Sequence, residues 1–231
     1  MSISNLGLLQ QKKGALAAAE PLLREALETR RETLGTRHPD TLSTISSLGT
    51  LLKAKGDFAG AEPLCREALE GKRETLGDRH PLTLIAVGNL GLLLTDKGDL
   101  AAAEPLCREA VEGQRETLGN LHPDTLIFIS NLGQLLQKKG DLAAAEPLLR
   151  EALEVKRETL GDRHPSTLTI IGNLGSLLQD KGDLAAAEPL CREALEGQRE
   201  NLGNRHPDTL ISISDLGTLL QDKGDLAAAE P

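Results

Sequence analysis

The sequence is poor in aromatic residues: its 231 residues include two phenylalanines, Phe58 and Phe128, with no tryptophan and no tyrosine. A hydrophobic core must therefore be built mainly from interdigitated aliphatic side chains. Tyr and Trp are also the residues that most often anchor protein interfaces. Their absence argues against one tight site for a short peptide and favours contacts spread along an extended partner.

Long apolar runs and clusters of positive charge are missing as well. No stretch approaches the roughly 20 apolar residues of a membrane-spanning helix, and the start, MSISNLGLL, lacks the basic residues of a signal peptide. The net charge is −9, whereas nucleic acids and anionic membranes are bound by clustered Lys and Arg. The composition predicts a cytoplasmic protein that neither binds nucleic acid nor inserts into a membrane.

What the sequence has instead is a repeat of 42 residues. His-Pro pairs mark its copies at the same spacing, beginning at His38, His80, His122, His164 and His206. The chain is therefore about five and a half copies of one sequence, which predicts a single repeat array over residues 1–231, truncated within helices at both ends. Exposed apolar faces at such ends predict self-association.

Each copy has the pattern of two helices. After Pro81, a residue suited to a first helical turn, apolar residues recur at three- and four-residue steps. Gly98 ends this helix, and Asp99 caps a second one. Pro105 stands at the sixth position of the second helix. This placement predicts either a bent helix or a separate turn followed by the main helix.

A period near 40 residues fits HEAT and armadillo arrays as well as other helical repeats. The spacing of Leu-Gly, Ala and Ala within the helix pair instead resembles the tetratricopeptide repeat (TPR). The consensus also resembles the 42-residue repeats of kinesin light chain-like proteins: it reads NLGxLLxxKGDLAAAEPLxREALExxRETLGxRHPxTL. The resemblance covers essentially the whole chain. It implies an all-α fold, a right-handed α-solenoid of antiparallel helix pairs.

Neither the cysteines nor the histidines form the pattern of a catalytic or metal site. One position of the repeat is occupied by Cys65, Cys107 and Cys191 and, in the other copies, by Leu23 and Leu149. Exchange with Leu indicates a small buried residue. Each histidine precedes a proline at a helix start, without a second ligand at metal-site spacing. We expect a structural role for these residues, with no enzyme activity, cofactor or metal.

The first helix of each repeat carries a strip of mostly uncharged side chains beside its buried arc, whereas the second helix is densely charged. A strip of low charge rimmed by charged residues suits the core of a protein interface. The strip residues expected to line a peptide-binding groove are Leu92, Gln134 and Ser176, with Asp96, Lys138 and Asp180 one turn further on.

In TPR proteins the first helices line the concave groove, and an Asn before the Leu-Gly pair often contacts the backbone of a bound peptide. The resemblance implies this role for Asn5, Asn89, Asn131 and Asn173. An amide suits the task because it both donates and accepts hydrogen bonds. The alternative is that these side chains bond a neighbouring helix and hold the curvature of the array. Two copies depart from the pattern, with Ser47 and Asp215.

The resemblance favours a non-catalytic scaffold that binds an extended protein or peptide segment in the concave groove, as a cargo adaptor similar to kinesin light chain. The alternative is a sensor or spacer repeat domain of a larger signalling ATPase or protease. The close similarity of the copies also fits a designed protein. The exchange of Phe128 for Ala86 or Ile170 at one position favours natural duplication.

Overall fold

The computed structural model describes residues 16–224, which form ten α-helices without a β-strand. In chain order they are α1 (Leu16–Leu34), α2 (Pro39–Ala54), α3 (Phe58–Leu76), α4 (Pro81–Lys97), α5 (Leu100–Leu118), α6 (Pro123–Lys138), α7 (Leu142–Leu160), α8 (Pro165–Asp180), α9 (Leu184–Leu202) and α10 (Pro207–Asp222). The even-numbered helices are the first helices of the repeats and the odd-numbered helices are the second. This alternation confirms the all-α fold of helix pairs. Asn5 and the chain ends, where self-association is predicted, lie outside the described residues.

The chain divides into two compact units, Met1–Phe128 and Ile129–Pro231. In the N-terminal unit each of the helices α1 to α5 packs against the next, and the first helices α2 and α4 also contact each other. In the C-terminal unit the same holds for α7 to α10, with α8 in contact with α10. Within each unit, first helices of consecutive repeats are therefore neighbours. The continuity of one array over residues 1–231 stays a prediction.

Every first helix begins with the same cap. The Nδ1 atom of a histidine accepts a hydrogen bond of 3.1–3.2 Å from the backbone N–H two residues later, and proline takes the first helical position. The cap is formed by His38, His80, His122, His164 and His206. One of the unsatisfied N–H groups of the first turn is thereby bonded. The structural role predicted for the histidines is confirmed.

The second helices α3, α5, α7 and α9 begin at an aspartate cap and run through their proline. The side chain of Asp99 accepts a 3.2 Å hydrogen bond from the N–H of Ala102, and α5 continues without a break past Pro105 to Leu118. The separate turn is therefore not formed. Pro105 and Ala101 are both exposed, so water can hydrate the Ala101 carbonyl to which a proline cannot donate.

The two helices of a repeat lie close together where a glycine faces a cysteine. A Cβ built on Gly91 would lie 2.8 Å from the Sγ of Cys107, and one on Gly175 would lie 2.7 Å from the Sγ of Cys191. Burial raises the pKa of both thiols to about 11, which disfavours the reactive thiolate at neutral pH. The interpretation of these cysteines as small buried residues is confirmed.

Candidate protein-interaction surface

The predicted strip lies at the surface of the first helices, and we call it the first-helix strip. It consists of Asn89, Leu92 and Asp96 on α4, Asn131, Gln134 and Lys138 on α6, and Asn173, Ser176 and Asp180 on α8. The asparagines and the residues three positions later are half-buried, whereas the residues at the helix ends are exposed. Half-burial leaves part of each of these residues exposed to solvent.

Several strip residues already have partners in the preceding repeat. The Nζ of Lys53 lies 3.1 Å from an Oδ2 atom of Asp96. The Nε2 of Gln137 donates to the Oδ2 of Asp180 over 2.6 Å and to the Oγ of Ser176 over 3.2 Å. These pairs join neighbouring first helices within each compact unit. A role in partner binding stays a prediction for Asp96, Ser176 and Asp180.

Asn173 differs from these residues because its Nδ2 atom is buried and has no hydrogen-bond partner among the described residues. A buried polar group left without a partner costs about 1–3 kcal/mol, and most such groups in folded proteins are bonded. The Nδ2 atom makes no bond to a neighbouring helix of the kind that the structural alternative requires. At this position the amide keeps a donor that the described residues leave unbonded.

A pocket of about 200 Å³ opens beside Asn173, between α8, α9 and α10. It is lined by Thr169, Gly172, Asn173, Gln198, Asp208, Ile211, Ser212 and Asp215. Gln198 is only 7% exposed, and its Oε1 atom has no hydrogen-bond partner in the part of the chain that is described. Burial raises the pKa of the Asp215 carboxyl. The pocket therefore combines an unpartnered donor, an unpartnered acceptor and two acidic residues.

Gln198 is a residue that the sequence interpretation missed, because the second helices were assigned to the core and to the charged outer face. Its position is occupied by Lys72, Gln114, Lys156 and Gln198 in successive repeats, each less than 9% exposed. A polar residue that recurs every 42 residues within an otherwise apolar arc was the signal that could have identified it. Such side chains need a partner once they are buried.

The second helices carry a network of ion pairs on the opposite side. Glu62 accepts hydrogen bonds from Lys97 over 2.7 Å and from Arg66 over 3.0 Å. These two cations, Lys97 first, lower the pKa of the Glu62 carboxyl. The Nη2 atom of Arg73 lies 2.5 Å from the Oε1 atom of Glu109 on the next second helix. This charged surface is largely paired within the chain, and exposed pairs of this kind contribute little to stability.

Over residues 16–224, no group of three or more His, Cys, Asp or Glu side chains is arranged to hold a metal ion. None of the helices in that range is both long enough and apolar enough to span a membrane.

Comparison with known proteins identifies the repeat. The sequence matches the tetratricopeptide repeat family in overlapping stretches, residues 1–74, 46–116, 84–158, 124–179 and 166–231, which together span the chain. No match was found among curated proteins.

Solved structures of similar fold include repeat proteins of the kinesin light chain type. A candidate kinesin light chain from Podosopora anserina with nearly identical TPR-like repeats is 26% identical, with 83% of this chain and 91% of that chain covered and a TM-score of 0.70. BtubC (BKLC) from P. vanneervenii is 24% identical, and the match covers 93% of this chain and 85% of BtubC with a TM-score of 0.72. A Rap protein complexed with competence and sporulation factor is 14% identical, and the match covers 98% of this chain and 65% of the Rap protein with a TM-score of 0.71. The chain belongs to the tetratricopeptide repeat family and has its α-solenoid fold.

Proposed function

We propose that this chain is a non-catalytic interaction scaffold that binds an extended segment of a partner protein along the first-helix strip. The TPR fold generally mediates protein interactions. Asn173 is the strongest support, because its buried Nδ2 donor has no partner within the described residues and lies on the surface predicted to bind a peptide. A carbonyl of the partner backbone would accept that hydrogen bond.

An extended partner suits this strip better than a compact one. The strip lacks Tyr and Trp, so no single pocket supplies the aromatic anchor that dominates most interfaces. Its amides instead recur at 42-residue intervals, and several modest contacts made by one segment add up to useful affinity. The Rap protein of similar fold is complexed with competence and sporulation factor.

The similarity to kinesin light chain-type repeats supports a cargo-adaptor role as the specific form of this scaffold. We place the protein in the cytoplasm. The three cysteines are unpaired and buried, as is usual where thiols are kept reduced.

The experiment that tests the scaffold function compares the parent chain with the triple variant Asn89→Ala, Asn131→Ala, Asn173→Ala. Linear peptides are selected on the parent chain from a random display library, and their affinities are then measured by fluorescence anisotropy. The triple variant should bind them roughly 10- to 2,000-fold more weakly, since each of the three lost hydrogen bonds contributes about 0.5–1.5 kcal/mol. Helical circular dichroism should be unchanged.

The matched control is the triple variant Arg66→Ala, Arg108→Ala, Arg150→Ala, which alters exposed residues at one position of the second helices. This variant should bind the selected peptides as the parent does. Equal affinity of the Asn variant and the parent would refute the assignment of the first-helix strip.

A further inference from the structure

Other repeats have a space equivalent to the pocket between α8, α9 and α10. In two of them a side chain of the protein itself occupies that space. In the N-terminal unit the equivalent space lies between α2, α3 and α4. The Lys72 side chain, 8% exposed, enters it and donates from Nζ to the Oγ of Ser46 over 2.9 Å. The void left there, lined by Ser46, Cys65, Ala68, Ala86 and Asn89, is about 10 Å³. A lysine ammonium is thus the native occupant of this space.

In the following repeat an aromatic ring fills the equivalent space. Gln114 replaces the lysine there, and Gly88 replaces Ser46. A Cβ built on Gly88 would lie 2.0 Å from the Cε1 of Phe128, so the ring occupies the volume that a larger side chain would need. Gln114 is fully buried.

In the repeat formed by α8, α9 and α10, neither an ammonium nor a ring fills the space. Here Gln198 occupies the position of the lysine, and Gly172 occupies the position of the serine. Ser212 occupies the position that Phe128 has in the repeat described above. A Cβ on Gly172 would meet only the Cβ of Ala194, at 3.8 Å. The result is the open pocket of about 200 Å³.

The charge of the surrounding residues changes in the same repeat. Around Lys72 the equivalent positions hold the neutral Leu82 and Asn89, which gives one positive charge in total. Around Gln198 they hold Asp208 and Asp215, which gives two negative charges. The repeat with the open pocket therefore has glutamine in place of the internal lysine and two carboxylates around the volume.

We propose that this pocket binds a lysine side chain of the partner segment, with its ammonium where the Lys72 ammonium lies in the N-terminal unit. The inference rests on the proposed function, since it assigns one residue of the segment bound there. The three N–H donors of an ammonium match the Oε1 of Gln198, the Asp215 carboxylate and a hydroxyl of the lining. The Gln198 acceptor is fixed by burial before the ligand arrives, which reduces the entropic cost of binding.

The surroundings of Asp215 and Asn173 fit the same occupant. Desolvation raises the pKa of Asp215, and a cation that enters the pocket would counter this effect by stabilising the carboxylate. The Nδ2 of Asn173, on the same wall, remains available for the backbone carbonyl of the bound residue. Side chain and backbone of one lysine would then be recognised together.

The test uses synthetic bead libraries of linear peptides in which a central residue is fixed as lysine, arginine or norleucine and the flanks are random. The full chain should retain lysine peptides at least roughly tenfold more than norleucine peptides, because charge-assisted hydrogen bonds are the stronger ones. In parallel, Nα-acetyl-lysine N-methylamide should shift the side-chain amide NMR resonances of Asn173 and Gln198. The norleucine analogue should not shift them.

Two variants introduce residues that the chain already has at the equivalent positions of other repeats, and their helical circular dichroism is compared with that of the parent chain. Asp215→Asn introduces the residue of Asn89 and Asn173, and Gln198→Lys introduces the residue of Lys72 and Lys156. The first removes a carboxylate and the second supplies an internal ammonium. Both should abolish the preference for lysine and the NMR shifts while the binding of norleucine peptides is retained.

The outcomes separate this inference from the function on which it rests. Equal retention of lysine and norleucine peptides would overturn the pocket assignment and leave the scaffold standing. A preference for arginine over lysine, or a lysine preference that survives both substitutions, would overturn it as well. Failure of every library to bind would contradict the scaffold function, and the NMR titration would then decide the pocket by itself: absence of the shifts overturns it.

Discussion

Gly88→Ala should destabilise the chain by about 3 kcal/mol, the upper end of the cost of overpacking, although alanine is the better helix former by about 1 kcal/mol. The new Cβ would lie 2.0, 2.5 and 2.9 Å from Cε1, Cδ1 and Cζ of Phe128. The ring is itself 7% exposed and surrounded by core. It has no free volume to enter, so the helices α4 and α6 must shift or the ring must leave.

A double-mutant cycle isolates this contact. Phe128→Ile introduces the residue that Ile170 provides at the same position two helices later. In that background Gly88→Ala should cost less than about 1 kcal/mol, because residues in direct contact show coupling energies of about 0.5–3 kcal/mol. Urea unfolding followed by circular dichroism measures all four chains. An equal cost in both backgrounds would show that Phe128 is not the cause.

The second large effect concerns the glycines that face the cysteines. Gly91→Ala should lower the unfolding free energy by about 2 kcal/mol, within the range for overpacking. The added Cβ would lie 2.8 Å from the Sγ of Cys107 and 3.3 Å from its backbone nitrogen. A backbone atom cannot move aside as a flexible side-chain end can, so the two helices of the repeat must separate.

The chain provides a matched control for this substitution. Gly172 also lies within a first helix, but an added Cβ would have only an ordinary contact, 3.8 Å from the Cβ of Ala194. Gly172→Ala should therefore raise the unfolding free energy by about 0.5–1 kcal/mol, the usual gain from replacing a helical glycine. The thermal midpoints of the two variants should move in opposite directions. Shifts of the same sign would contradict the packing argument.

The helices and their ends could be predicted because their signals are local. The His-Pro pair, the glycine after the first helix and the aspartate at the start of the second helix act within a few residues of their own positions. The capping bonds of His80 and Asp99 span two and three residues. The path of the second helix through Pro105 was less certain from the sequence. Whether a proline bends or breaks a helix depends on the hydration of the carbonyl four residues earlier.

The composition of the strip was also predictable, since helical periodicity separates its residues from the buried arc. The hydrogen bonds of the strip could not be predicted from the sequence. Gln137 bonds Asp180 across 43 residues of sequence, and Lys53 pairs with Asp96 across the same interval. Such contacts depend on how consecutive repeats stack, which no single copy of the repeat encodes. The unpartnered Nδ2 of Asn173 becomes visible only when every neighbouring acceptor is placed.

The pocket could not be predicted for a related reason. Its volume depends on three positions from three helices, which hold Gly172, Gln198 and Ser212. Each of these residues is unremarkable in its own helix. The space opens only because their combination replaces both the lysine and the aromatic ring that fill the equivalent spaces elsewhere in the chain.

Photo-cross-linking tests most directly whether a partner segment lies along the first helices. A selected peptide carrying p-benzoylphenylalanine is bound to the full chain and irradiated, and the cross-linked residues are identified by mass spectrometry. We expect cross-links within residues 89–96 of α4 and 173–180 of α8. Cross-links confined to the second helices, around Arg66, Arg108 and Arg150, would contradict this expectation.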